Sequence, residues 1–444
     1  MKAGFAKIDI TPRVGVELCG FGPFIQRRSV GVRDRLWAKA AAFEQNGTTL
    51  VLVSCDLIGL SPSIVRRVRE VVREATGLKP EAVMVHCTHT HSGPCAAEYH
   101  GWGEPDPPYL EILPQRIARA CVAAVGKLQE AALAYAEVPC EGIGLNREYD
   151  SIGGPIEAVL GDDWRPTKPE LTDTTCHVLT LRKPDGDLMG FLSYFGCHPV
   201  VCCHLTRYIH GDFAGVASNM IEAENPGSVG LFLQGAQGDV NTCWAHRPEK
   251  ESLAALDVIA ARYARAVRSG MAAAEPTDID SVSSAQRMTR FSRRVPSLEA
   301  LRRMLEQDLA LLRAPDASDE DPEVRMAAVR AIAIRERMAA LGSGQPPDPP
   351  VELHGFRLGP ISLLGAPLEI FQAIKNDARN GAKSPVTLVM GITNGDIGYA
   401  PDRTAASRGG YAADVVPMIV GEFPFADIHA ELVSELLGLE KGLR

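Results

Sequence analysis

The 444-residue chain is predicted to be an α/β protein in which mixed β-sheets are flanked by helices. Short runs of β-branched and other apolar residues alternate with longer amphipathic stretches, a pattern typical of sheets covered by helices. Several apolar runs lead directly into polar, glycine-containing turns, as buried strands do when they deliver side chains to a sheet edge. We therefore expect one domain over residues 1–444, with its functional residues gathered at such an edge.

The composition indicates an ordinary soluble globular protein, with 45% hydrophobic and 23% charged residues. A net charge of -9 argues against a nucleic-acid partner, because a phosphate-binding surface needs a basic patch. The N-terminal stretch lacks an apolar core of signal-peptide length, and no apolar run is long enough to span a bilayer. We expect a cytoplasmic protein with a small-molecule substrate and no stable membrane insertion.

The eleven cysteines are expected to be free thiols, since their number is odd and no secretion signal precedes them. They include the adjacent pair Cys202 and Cys203, which we expect to be packing residues without a catalytic role. His210, in a polar loop nearby, is likewise expected to be structural or solvated.

The predicted elements of the first two thirds of the chain alternate between strand and helix. They are a strand at 49–55, a helix at 61–76, a strand from 83, a helix at 109–128, an extended segment at 131–146, a hairpin at 176–181 and 188–195, a helix at 214–224, a strand at 229–234 and a helix at 251–273. Asp212 is expected to be the N-cap of the helix at 214–224.

The remainder begins with residues 296–342, where Leu, Met and Ala recur at helical spacing around a polar break at 315–322. We expect a helical hairpin inserted into the domain, which could serve as a subunit contact in a homo-oligomer. Strands at 351–357 and 361–364 follow, then a helix from Pro367 that carries Glu369, a strand at 386–390 and a helix at 427–438.

The most informative stretch is the apolar run from Val83, which ends in His89-Thr90-His91-Ser92-Gly93-Pro94. His89 and His91 are two residues apart, so on an extended chain they point the same way. Two imidazoles at a strand end suit a metal ligand beside a general acid/base. The alternative is a pair of structural histidines that hydrogen-bond the loop. Further strand ends with polar residues, at His198, Asp239 and Tyr399, favour a single site.

Six sequence segments carry a resemblance to a known family. They are Thr88-His89-Thr90-His91-Ser92-Gly93-Pro94, Asn146-Arg147, His198-Pro199, the segment from Gln234 to Val240, Gly365-Ala366-Pro367-Leu368-Glu369, and Tyr399 followed by Gly409-Gly410-Tyr411. Taken together, they resemble the catalytic domain of the neutral, non-lysosomal ceramidases, which are zinc amidases. The segments occur in family order over most of the chain.

The resemblance implies a role for each matching residue. It implies four ligands for one zinc ion per chain: His89, His198, Glu369 and Tyr399. It implies three catalytic residues: His91 as the acid/base, and Arg147 and Tyr411 as donors to the oxygens of the tetrahedral intermediate. Two imidazoles and a carboxylate are a usual catalytic zinc set, and zinc brings the pKa of bound water to about 7.

One position departs from the family pattern, because Asn241 stands where the ceramidases carry a serine that contacts the substrate. A serine-nucleophile mechanism is therefore unsupported here. We expect Asn241 and Trp102 to contact substrate, although Trp102 could equally be a packing residue. Asp239 and Asp56 follow strands and are expected to orient loops or the histidines and not to bind metal.

The leading functional hypothesis is zinc-dependent hydrolysis of an amide C–N bond by metal-activated water. A small soluble N-acyl substrate is favoured because the loop 98–108 is polar around Trp102 and only 6% of residues are aromatic. One alternative is a ceramidase proper, and another is a zinc esterase or lactonase, since the same site can attack either carbonyl. A non-catalytic protein of the same fold that binds a small ligand is the third.

Overall fold

The computed structural model describes residues 1–444. Twenty strands occur along the chain: β1 Lys2–Asp9, β2 Gly31–Val32, β3 Trp37–Gln45, β4 Thr48–Cys55, β5 Val83–Cys87, β6 Gln129–Glu130, β7 Ala132–Pro139, β8 Gly144–Asn146, β9 Thr175–Arg182, β10 Leu188–Phe195, β11 Tyr208–Ile209, β12 Val229–Gln234, β13 Val240–Thr242, β14 Glu275–Pro276, β15 Val282–Thr289, β16 Val351–Leu358, β17 Ile361–Gly365, β18 Glu369–Ile370, β19 Val386–Met390 and β20 Tyr399–Ala400.

Eleven α-helices accompany the strands: α1 Pro62–Thr76, α2 Pro107–Val125, α3 Ile156–Val159, α4 Asp212–Glu224, α5 Glu249–Ala273, α6 Leu298–Leu312, α7 Pro322–Gly342, α8 Gln372–Gly381, α9 Arg403–Arg408, α10 Val416–Ile419 and α11 Ile428–Lys441. Single 3₁₀ turns lie at Pro80–Ala82 and Pro169–Leu171, and a π-helical turn lies at Tyr411–Val415. None of the helices combines the length and the apolar composition that a membrane crossing requires.

Three larger sheets form the scaffold, in the strand orders β5-β4-β3-β1-β6, β12-β10-β9-β7-β14 and β15-β16-β17-β19. Each contains antiparallel pairs and one parallel pair, namely β4 with β5, β10 with β12, and β17 with β19. Helices α1 and α2, α4 and α5, and α8 and α11 pack against these sheets. The predicted class, mixed β-sheets flanked by helices, is confirmed.

The three sheets share an apolar core. One cluster contains Phe43 from the first sheet, Leu231 from the second and Leu363 from the third, each fully buried. Each such side chain contributes roughly 1.5–3 kcal/mol relative to exposure. This shared core fixes the relative positions of the ends of β5, β10 and β17.

Helix boundaries follow local chemistry. Helix α1 begins where the Ser61 side chain accepts a hydrogen bond from the Ile64 N–H, and it ends at Gly77, whose φ of 75° suits only glycine well. The prediction for Asp212 is wrong, because Asp212 is the first residue of α4 and Gly211 is its N-cap. The Asp212 carboxylate instead accepts from the N–H of its neighbour Phe213.

Residues 296–342 contain α6 and α7, which pack on each other and on the segment before α11. Leu301 and Ile334 contribute to this packing together with Phe423. Their assignment as an insertion within one domain remains a prediction.

Glu369 does not lie on a helix, so that prediction is wrong. It belongs to β18, which pairs in parallel with β20 so that Glu369 lies opposite Tyr399. Helix α8 starts only at Gln372, after the chain has completed this ribbon. The ribbon is what brings the carboxylate and the phenol to the same place.

Candidate active site

His89 and His91 lie just beyond the end of β5, at Cys87. His89 has a φ of 68°, in the left-handed region, so the chain is not extended there and the argument from alternating side chains is wrong. The turn nevertheless brings the two rings together, with centroids 4.9 Å apart. His86, still within β5, points away and its Nε2 accepts from the Gln234 N–H.

His198 and Glu369 meet this pair from two other elements. Glu369 Oε2 lies 2.7 Å from His198 Nε2 and 3.2 Å from His89 Nε2. The Tyr399 hydroxyl lies 3.2 Å from the same His198 nitrogen. All four residues are buried. One carboxylate oxygen is therefore shared by two imidazoles, beside a phenol.

Backbone carbonyls fix the orientation of both rings. His89 Nδ1 donates to the Ile58 carbonyl at 2.7 Å, and His198 Nδ1 donates to the Gln237 carbonyl at 2.7 Å. With the hydrogen on Nδ1, a neutral imidazole presents a lone pair at Nε2. In both rings that lone pair would face the Glu369 carboxylate, which is also an acceptor. This arrangement requires a positive charge between them, supplied by a proton or a metal ion.

The protonation equilibria agree with that requirement. Burial opposes ionisation of Glu369, but contacts with His89 and His198 outweigh it and hold the pKa of Glu369 well below its usual range. Burial also opposes protonation of His89, yet Glu369 outweighs it and raises the pKa of His89. For His198, burial and then the nearby Arg147 charge lower the pKa to about 4.

His91 is the one histidine of this group whose ring makes no hydrogen bond. Neither of its nitrogens has a hydrogen-bond partner, and both are shielded from solvent. Burial, followed by the His89 and His198 rings, lowers the pKa of His91 well below its usual value. A ligand atom from each of His89, His91 and His198 lies within 4.8 Å of the others. His91 thus has two buried ring nitrogens with no competing hydrogen bond beside His89 and His198.

Arg147 approaches from the end of β8. Its backbone N–H donates to the Asp239 carbonyl at 2.8 Å, and its Nη2 donates to the Gly238 carbonyl at 2.7 Å. Its Nη1 donates to Asn241 Oδ1 at 3.3 Å, and the guanidinium lies 5.1 Å from the centre of the Tyr399 ring. The sequence-predicted Asn241 therefore contacts an active-site side chain directly.

Tyr411 lies at the rim. Its ring centroid is 6.0 Å from that of Tyr399, and the residue is 50% exposed. A half-exposed phenol beside the buried group can contact a ligand that enters from solvent.

The two predicted supporting carboxylates do not contact the histidine side chains. Asp239 accepts from the Asn146 amide at 2.8 Å and from the Gln372 N–H at 2.9 Å. These two hydrogen bonds connect the end of β8, next to Arg147, with the start of α8, which follows Glu369. Asp56 accepts from the Trp37 N–H at 2.9 Å, at the end of β4. Both orient loops, one of the two roles expected for them.

Some polar residues of the loop 98–108 are held by contacts with neighbouring helices. Asp106 accepts from the Tyr109 N–H as the N-cap of α2, and His100 lies 3.1 Å from Glu336 on α7. Trp102 is buried in an apolar cluster that also contains Tyr399. Whether Trp102 contacts substrate remains a prediction.

Sequence reasoning missed the loop at residues 20–26, which bounds His91. The Phe21 ring centroid lies 5.0 Å from that of His91, and Gly20 lies against His91 Nδ1. Phe21, Phe24 and the two glycines of this loop, Gly20 and Gly22, have positive φ values, so the loop is tightly turned. Arg27 closes it by donating to the carbonyls of Cys19 and His91. Gly20, Gly22 and Pro23 are the sequence features that could have predicted a tight turn here.

Sequence reasoning also missed Asp396. Its Oδ2 lies 3.9 Å from His89 Nδ1 and accepts a hydrogen bond from the Tyr99 hydroxyl. Burial, with a contribution from Glu369, raises the pKa of Asp396 to about 7. Asp396 adds a second carboxyl group beside the candidate ligands.

Three comparisons with known proteins bear on this site. Residues 1–255 match the sequence profile of the family described as neutral/alkaline non-lysosomal ceramidase, N-terminal. The chain is 26% identical over 252 residues to the neutral ceramidase of Pseudomonas aeruginosa, a match that covers 54% of this chain and 36% of that protein. The match thus spans about a third of the length of that curated relative.

Two solved structures share the fold. The neutral ceramidase of Pseudomonas aeruginosa has a TM-score of 0.75 at 19% identity, covering 100% of this chain and 75% of that chain. A ceramidase complexed with C2 has a TM-score of 0.74 at 18% identity, covering 99% and 74%. At these identities the likeness establishes the fold of the whole chain.

Proposed function

The chain belongs to the neutral/alkaline non-lysosomal ceramidase family, and on that premise we propose that it is a zinc-dependent hydrolase of carboxylic amide bonds. The observation that carries the proposal is the contact of Glu369 Oε2 with the Nε2 atoms of both His89 and His198. Three acceptors facing one another in a buried space are the arrangement that a cation stabilises.

The donor set fits zinc. His89, His198, Glu369 and Tyr399 would hold the ion, and the backbone carbonyls that receive the two Nδ1 hydrogens would keep both Nε2 lone pairs directed at it. When bound, zinc would supply Lewis acidity and bring the pKa of a bound water to about 7. Burial raises the pKa of the Tyr399 phenol well above its usual value despite the nearby Arg147 charge, so a phenolate there depends on the ion's charge.

The remaining residues supply proton transfer and charge stabilisation. His91 accepts the proton of the attacking water at one of its unpartnered ring nitrogens, then donates it to the leaving amine nitrogen as the C–N bond breaks. Arg147 stays charged, because Tyr399, Glu369 and Tyr411 together outweigh burial and raise the pKa of the guanidinium. Arg147 and Tyr411 donate to the oxyanion that develops on the carbonyl oxygen.

We propose a compact, soluble N-acyl amine as the substrate. The support is the enclosed position of His91, whose nitrogens are shielded from solvent and bounded by Gly20 and Phe21. Cleavage of ceramide itself is a second candidate, favoured by the names of the relatives and by the apolar Phe21 wall. Ester or lactone hydrolysis by the same groups is a third, since an ester carbonyl accepts the same attack.

The test is a matched substrate panel given to the purified, zinc-loaded protein. Amides with short and long acyl groups, and esters of the same acids, are compared with and without detergent by release of amine or alcohol. We expect short-acyl amides to be cleaved with the highest kcat/KM, without detergent. Selective, detergent-dependent cleavage of long-chain ceramide would replace the compact substrate, and cleavage of the esters without detectable cleavage of any amide would overturn the amidase assignment. Tight binding without turnover would indicate a binding protein.

A further inference from the structure

A second group of metal-ligating side chains lies outside the candidate active site. Cys202 and His210 belong to the connection between β10 and α4, and Asp212 is the first residue of α4. A ligand atom from each lies within 4.8 Å of those of the other two. All three residues are buried, with exposures of 0%, 0% and 1%. Sequence reasoning treated Cys202 and His210 as packing or loop residues.

Two oxygen atoms at this group have no partner. Asp212 Oδ2 and the hydroxyl of Thr206, which lies beside Cys202, are buried without a hydrogen bond. Each such atom costs roughly 1–3 kcal/mol. Asp212 also has a φ of 50°, in the left-handed region. A buried set of this kind needs a compensating ligand.

We propose that Cys202, His210 and Asp212 form a second, structural metal site for a zinc-like divalent cation. Sulfur, nitrogen and oxygen donors together suit zinc, whereas the thiol disfavours magnesium and calcium. The absence of solvent exposure matches closed structural sites. The site is independent of the proposed hydrolase activity.

Charge balance restricts how the ion is held. Arg27 and Arg33 lie close enough to lower the pKa of His210 further, after burial, and their charges oppose a cation. Deprotonated Cys202 and Asp212 would supply two negative charges, which neutralise a divalent ion. His210 Nδ1 presents its lone pair to the Asp212 N–H at 3.1 Å, and an ion at that nitrogen replaces this single contact. Thr206, whose hydroxyl is unpartnered, is available as a fourth donor.

The site is joined to the loop that carries His91. The His210 N–H donates to the Ser92 carbonyl at 3.2 Å, and the Thr90 hydroxyl donates to the His210 carbonyl at 3.0 Å. An ion that holds His210 would therefore brace both neighbours of His91. Its role would be to stabilise the loop, not to react with substrate.

Cobalt(II) spectroscopy of the full chain tests this site without measuring activity. The protein is stripped with chelator, reloaded with Co²⁺ and examined for the near-ultraviolet charge-transfer band of a cobalt–thiolate bond. None of the candidate active-site ligands contains sulfur, so the band reports only on the second site. We expect the band in the wild-type protein and in His89→Ala, whose active-site ligand set is broken.

Two serine variants provide the matched comparison. Cys202→Ser should lose the band and one equivalent of bound metal, while Cys203→Ser, at the adjacent buried cysteine, should keep both. His210→Asn, a second variant, should lose the same equivalent and the band, and added Co²⁺ should raise its melting temperature by less than it raises that of the wild-type protein. Absence of the band in the reloaded wild-type protein, or its persistence in Cys202→Ser, would overturn the proposal.

Discussion

Replacing Gly20 with alanine should displace the imidazole of His91, the proposed acid/base, without touching any of the proposed metal ligands. A Cβ at residue 20 would lie 2.4 Å from His91 Nδ1, where ordinary contacts begin at 3.4 Å. The ring must therefore retreat by about 1 Å, a displacement that can cost on the order of 100-fold in rate. The φ of 92° at this position adds backbone strain of roughly 1–2 kcal/mol for any residue with a Cβ.

Gly22→Ala is the matched control in the same loop. Gly22 also has a positive φ, 131°, but its nearest neighbour to a new Cβ is Ile25 Cγ2, at 3.7 Å. Both variants should lose similar thermal stability, and both should retain active-site metal by elemental analysis. Only Gly20→Ala should lose about 100-fold in kcat/KM on the best amide, equivalent to about 2.7 kcal/mol of transition-state stabilisation. Equal rates for the two variants would refute a role for His91 at its present position.

Three further predictions concern the oxyanion donors, the departure from the family pattern and the pH dependence of stability. Arg147→Ala and Tyr411→Phe should keep the metal and lose roughly two to three orders of magnitude in kcat; wild-type rates in both would place them outside the reaction. Asn241→Ser should change kcat/KM by less than about tenfold, because a serine hydroxyl can still accept from Arg147 and no nucleophilic role is assigned there; a large gain on ceramide would contradict this. Burial opposes ionisation of Asp173, but Lys375 outweighs it and lowers the pKa of Asp173 to about 2, from an ordinary 3.8. This depressed pKa stabilises the fold above about pH 4 and ceases to do so as pH falls toward 2, so Lys375→Met should cost at most about 2 kcal/mol at pH 7. Urea titrations should show a smaller difference in unfolding free energy between the wild-type protein and Lys375→Met near pH 3 than at pH 7. An equal difference at both pH values would show that the Asp173–Lys375 pair does not cause it.

The sequence predicted the strands and helices best where apolar runs were long and bounded by turn residues. Residues 229–234 and 386–390 are strands as predicted. Short apolar runs without alternating polar residues are typical of strands whose two faces are both buried within the protein. Glu369 was misplaced on a helix because Pro367 is also a good first helical residue. The pairing of β18 with β20, distant in sequence, decided the local structure there.

The candidate site also contains features that local sequence predicts and features that only long-range contacts determine. His89 and His198 belong to the first kind, because each histidine follows an apolar run that the sequence predicts to be a strand. The carbonyls of Ile58 and Gln237 that orient them were not, since every residue has a carbonyl and only the fold selects two. Gly20 was missed for a related reason. Its close approach to His91 depends on how two distant segments pack, and nothing in the sequence distinguishes Gly20 from other glycines.

Metal-dependent amide hydrolysis is tested most directly by assaying purified protein, loaded with one zinc ion per chain, for amine release from a short-acyl amide. The measurement is repeated after chelation, after reloading, and with His198→Ala, using His429→Ala as a histidine control on α11, outside the site. The account predicts turnover that disappears with chelator, returns with zinc, persists in His429→Ala, and is absent together with the active-site metal in His198→Ala. Undiminished turnover in chelated protein, or in metal-free His198→Ala, would contradict it.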